Sequence, residues 1–142
     1  MRERDAKVES MSSRNLKPAK PSLTAVAAAA AVADLVLILV FAAVGRDAHQ
    51  RGDVVSGVLL TAWPFLAGAA AGWLAARAWR DPLSVRRSGL AVWLGSLVGG
   101  MLLRAVTGQT VVLPFVIVAL LSLGVLLVGY RLVIAGVRRR RT

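Results

Sequence analysis

From Leu23 to Val44 the chain carries one charge, the carboxylate of Asp34 near the middle, in a run that is otherwise almost wholly apolar. About 20 such residues in helical form cross a hydrocarbon core of roughly 30 Å, so the stretch reads as a membrane-spanning helix. Pro21 and Ser22 stand at its entrance, where a proline costs no helical hydrogen bond. The rest of the chain has the same character. Of 142 residues, 57 % are hydrophobic and only 18 % are charged, and the mean hydropathy is +0.68, too apolar for a soluble domain of this size. The net charge of +11 would point to nucleic acid if it covered a folded surface. Here the basic residues sit in blocks between apolar runs, the pattern of membrane-protein loops, so no nucleic-acid partner is expected. There is no cysteine, which excludes disulfides and thiolate metal sites.

Taken in order, residues 1–22 are polar and without apolar periodicity, and are expected to form a disordered basic tail. A four-helix transmembrane domain follows over 23–137, with spans at about 23–44, 54–78, 88–106 and 111–130, and a basic tail at 138–142 closes the chain. Asp53 is placed to cap the second span by accepting a backbone N–H. Pro64 falls near the middle of that span and removes one hydrogen bond, which a membrane tolerates when a neighbour satisfies the freed carbonyl. Gly68 and Gly72 in the second span, and Gly95 and Gly99 in the third, form small-residue faces on which helix backbones approach closely. The purely apolar part of the third span, from Gly89 to Leu103, is short at about 22 Å, which puts Arg104 at or just inside the far boundary. Pro64-Phe65 and Pro114-Phe115 in the two returning helices raise the question of an internal parallel repeat.

The fold class is therefore all-α, an up-down-up-down bundle of four transmembrane helices. The N-terminal tail, the second connection and the C-terminal end hold fifteen Lys and Arg against three in the other two connections. That asymmetry places both termini in the cytoplasm.

Gly45-Arg46 with His49, the stretch Thr61-Ala62-Trp63-Pro64-Phe65-Leu66-Ala67-Gly68, Trp73, and Gly100-Met101-Leu102-Leu103-Arg104 together resemble the bacterial and archaeal membrane family known as domain of unknown function 3054. The resemblance runs from about Ala33 to Arg131. It implies a small multi-pass membrane protein of prokaryotes and brings no catalytic residue, substrate or cofactor with it.

Chemistry must come from the few polar groups in or near the bilayer. Asp34 is the only acidic residue in any span, and a lone carboxylate at that depth points to a function or a partner. Counted from Leu23 it lies about 17 Å deep and Arg104 about 22 Å, so an Asp34–Arg104 pair is one arrangement. A protonated Asp34 bonded to a neighbour, with Arg104 reaching for headgroups, is another. Arg46, Asp47 and His49 form an outer polar corner suited to an anion or to sensing pH, or simply to capping a helix. Trp63 beside Pro64 either packs in the bundle or lines a cavity opened by the proline. One histidine with Asp47 and Asp53 is too few strong ligands for a metal, and no cofactor is expected. No nucleophile, carboxylate pair or phosphate loop supports an enzyme. The expected partners are anionic lipid at the basic face and a second copy or a larger membrane complex. Two roles follow: a structural or accessory subunit of the bacterial cytoplasmic membrane associating through its Gly/Ala faces, or an oligomeric transporter or channel component using Asp34, Arg46 and Arg104.

Overall fold

A computed structural model describes residues 2–15, 20–47 and 53–141. Every regular element among them is helical: α1 (Arg2–Asn15), α2 (Leu23–Asp47), α3 (Val54–Ala76), α4 (Val85–Val106) and α5 (Leu113–Arg141), with a 3₁₀ turn at Ala78–Arg80. Four of these, α2 to α5, are long and apolar enough to cross a membrane. The four spans run over Leu23–Gly45, Val54–Ala76, Val85–Val106 and Leu113–Arg141, beside the expected 23–44, 54–78, 88–106 and 111–130. Residues 2–15 are a helix instead of the disordered tail expected. The segment has no glycine or proline, Glu3 and Asp5 lie in its first turn, and Glu3 stands four residues before Lys7, the favourable order for a helical ion pair. At the other end α5 runs on through Arg131 to Arg141, past the span's expected end near residue 130, with Leu132–Val137 expected to continue the helix at the interface.

α3 packs against α2 on one side and α4 on the other, and α5 lies against α4 and α2. The α3–α4 contact is made by glycines. A Cβ on Gly95 would stand 2.7 Å from the Gly68 carbonyl oxygen and 3.0 Å from the Gly72 Cα, and one on Gly99 would stand 2.8 Å from the Gly68 Cα. These distances leave no room for any side chain, so the two faces legible in the sequence meet each other backbone to backbone. Further along, Phe65 packs edge-on against Phe41 of α2 with centroids 5.3 Å apart, and Phe115 of α5 completes the cluster. Outside, large apolar residues such as Leu60, Leu74, Leu102, Leu121 and Val125 are more than 60 % exposed, a surface that only a lipid environment accommodates over such an extent.

α4 and α5 are not regular throughout. Wide i→i+5 turns occupy Val85–Gly89, Gly95–Gly99 and Gly124–Val128, and such turns commonly lie at functional positions. The repeat raised by the two Pro-Phe pairs does not extend to their setting: Pro64 is interior to α3, whereas Pro114 lies in the first turn of α5.

Candidate functional site

Asp34 is 2 % exposed and Arg131 is fully buried. The Arg131 guanidinium forks onto the carboxylate, Nη1 donating to Oδ1 at 2.9 Å and Nη2 to Oδ2 at 2.8 Å. Tyr130 donates its hydroxyl to Oδ1 at 2.8 Å, and Trp73 donates its indole N–H to Oδ2 at 2.9 Å. Each carboxylate oxygen thus accepts two hydrogen bonds, which uses essentially its whole acceptor capacity. Four of the five guanidinium N–H groups are occupied, with Nε donating to the Pro82 carbonyl at 2.9 Å and Nη1 also to the Leu127 carbonyl at 2.9 Å. A buried charge pair is tolerable only when its remaining donors and acceptors are met in this way.

Local structure delivers each of these groups. Arg77 ends α3 in the left-handed conformation, φ 51°, with its N–H returned to Leu74 and Trp73 carbonyls. Arg87 Nε donates to the Ala76 carbonyl, and the Ser88 hydroxyl donates to the Asp81 carbonyl. Ser84 caps α4 by accepting the Arg87 N–H. The connection so pinned presents the Pro82 carbonyl to Arg131. Gly89 lies close against the arginine, where a Cβ would stand 3.2 Å from the Arg131 Cδ. The wide turn at Gly124–Val128 immediately precedes Tyr130 and Arg131 and contains Leu127, whose carbonyl accepts from Arg131.

The Asp34–Arg104 pair is not formed. Arg104 lies near the far end of α4, about 28 Å along that helix from Val85, and donates instead to the Gln109 side chain at 2.8 Å and the Thr110 carbonyl at 3.0 Å, with its guanidinium 4.6 Å from the Phe115 ring centroid. Depth counted from Leu23 assumes that all helices start level. In fact Asp34 lies level with Trp73, three residues before the end of α3, and the α3–α4 connection reaches on to the start of α2, where Asp81, Pro82 and Leu83 share a cleft with Leu23 and Val26. Arg104 has a different task. In a helix the residue-60 carbonyl would accept from the N–H of residue 64, which Pro64 lacks. Gln109, held by Arg104, donates Nε2 to the Leu60 carbonyl at 3.3 Å and so satisfies the group the proline frees.

A family model described as a protein of unknown function, DUF3054, matches residues 31–134. The chain belongs to the DUF3054 family. No curated protein and no solved structure matches it. The part shared with the DUF3054 model encloses the whole clamp, from Asp34 through Trp73 and Pro82 to Arg131, and leaves out α1 and the arginines of the C-terminal run. With four apolar helices of spanning length, this DUF3054 protein is a multi-pass membrane protein.

The other expected sites divide. Pro64 is buried, whereas Trp63 beside it is 37 % exposed. Of the outer corner, Arg46 and Asp47 fall in the last turn of α2, and His49 lies outside the described residues. Among the described residues no group of acidic and histidine side chains is placed to hold a metal. Arg131, expected only where the fourth span meets the interface and not as a partner of Asp34, is instead buried within the bundle against that carboxylate. Its signal was the apolar sequence on both sides, Leu126-Leu127-Val128 before and Leu132-Val133-Ile134 after, which marks an arginine inside a helix.

Proposed function

We propose that this DUF3054 protein is a non-catalytic structural or accessory subunit of the bacterial cytoplasmic membrane, both termini inside. The observation that carries the reading is the saturated Asp34: four donors close on the carboxylate, leaving it no lone pair with which to take up a proton or bind a cation. Beside it, the cleft between α2 and α3 is walled largely by apolar groups, among them Leu35, Ile38, Leu66 and Trp79, which suits lipid better than a polar solute. Because the paired glycine faces of α3 and α4 are consumed inside the fold, association with a second copy or a larger complex must use the remaining exposed faces. Orientation rests on the basic asymmetry, which persists with Arg131 withdrawn into the interior.

Extraction into lipid nanodiscs directly from the membrane, followed by mass measurement, tests the proposal. The expected result is a particle in which the 15.0 kDa chain is present with a stoichiometric companion, either a second copy or another membrane protein. A lone protomer, together with proton or ion flux in reconstituted vesicles that Asp34→Asn abolishes, would overturn it in favour of a transport path.

A further inference from the structure

A second polar feature lies at the same end of the molecule, outside the clamp. The beginning of α4 and the extension of α5 diverge there and leave a cleft of about 480 Å³. Ser84, Arg86 and Arg139 form its polar rim, while Val85, Leu132 and Ala135 form an apolar wall. Gly136 also lines the cleft, with open space where a Cβ would stand. Leu132 is 54 % exposed, so the wall continues onto the lipid-facing side of α5.

We infer that this cleft binds the headgroup of an anionic phospholipid, its phosphate diester held between Arg86 and Arg139 and its acyl chains laid against Leu132 and Ala135. Three observations carry the assignment. The arginines come from different helices and face one cleft, which makes a defined site where a disordered basic tail would make only a diffuse field. Arginine presents a planar fork that matches phosphate oxygens. Among the described residues Arg86 has no hydrogen-bond or ion-pair partner, whereas its neighbour Arg87 donates to the Ala76 carbonyl and Arg131 is consumed by Asp34. The exposed apolar wall distinguishes a lipid from a soluble phosphate ester, because a headgroup without chains would leave Leu132 uncovered. The inference deepens the accessory-subunit reading by naming a ligand at the inner face, and it rests on that reading for the sidedness alone.

The full chain, purified in mild detergent with phosphatidylglycerol and phosphatidylcholine added in equal amounts, is examined by native mass spectrometry. One phosphatidylglycerol is expected to remain bound at collision energies that remove phosphatidylcholine. The double variant Arg86→Gln/Arg139→Gln should lose that preference by tenfold or more while keeping the helical circular dichroism of the parent. Arg140→Gln/Arg141→Gln, with the same change of net charge, should keep it. Equal loss in both double variants would overturn the site in favour of a diffuse basic surface. Competition by glycerol phosphate at concentrations comparable to the lipid would overturn the lipid in favour of a soluble phosphate ester. Lipid retention by a protein that extracts as a lone protomer would leave this site standing and remove the accessory role, so the two failures are distinguishable.

Discussion

Asp34 and Arg131, 97 residues apart in the chain, meet in a two-pronged ion pair at 2.8 and 2.9 Å, with the arginine side chain wholly buried. The pair joins the first spanning helix to the last. Trp73 brings in α3, and the Pro82 carbonyl brings in the connection to α4. Removing either charge leaves the other buried and uncompensated, a loss of about 3–5 kcal/mol. Asp34→Ala and Arg131→Ala should each lower the thermal midpoint in detergent sharply, and the double variant should lose far less than the sum. Additive losses would show that the two groups do not interact.

Asp34 and Arg104 stand at opposite ends of the bundle and share no partner. A cycle on Asp34→Ala and Arg104→Ala, read by the same melting experiment, should therefore be additive to within about 0.5 kcal/mol. A coupling well above that figure would contradict the separation.

Gln109 and Pro64 are coupled through the Leu60 carbonyl. Gln109→Ala should cost about 1 kcal/mol, the net worth of a hydrogen bond at an exposed position. In a Pro64→Ala background the new N–H at position 64 takes over the carbonyl, so the same Gln109→Ala change should cost measurably less. Denaturant titration of the four proteins checks this, and equal losses in the two backgrounds would refute it.

Two glycine substitutions separate packing from propensity. Gly95→Ala places a Cβ within 3.0 Å of α3 backbone at two points and should destabilise by about 1–3 kcal/mol through forced separation of the helices. Gly129→Ala meets nothing within 4 Å in ordinary helical backbone and should be neutral or stabilising by up to about 1 kcal/mol. Thermal melts of both variants decide it; similar changes in the two would mean that close approach at Gly95 is unimportant.

Much of the architecture was legible because apolar run length and the position of Gly68, Gly72, Gly95 and Gly99 are local properties that a bilayer turns directly into helices and contacts. Asp34 stood out for the same reason, as a single charge in a long apolar run. Its partner did not, because pairing depends on how far each helix protrudes past its neighbours, and sequence fixes rise per residue without fixing that offset. Trp73 and Tyr130 were harder still: an aromatic near a helix end looks like an interfacial anchor until the carboxylate it serves is located. The Gln109 contact to Leu60 was half visible, since Pro64 announced a carbonyl in need of a donor but nothing along the chain named the donor.

The clamp also bears on how the protein comes to be assembled. Synthesis proceeds from the N-terminus, so Asp34 is made with the first span and Arg131 only with the last. Until the closing stretch of the chain is delivered, the earlier helices hold an acid with no counter-charge in a medium that strongly disfavours one. Its arrival supplies the missing cation, the Tyr130 hydroxyl and the last wall of the bundle together. Delivery of α5 is thereby written into the fold as a single electrostatic event, and a chain cut short before residue 130 keeps an acid that has no Arg131 to pair with.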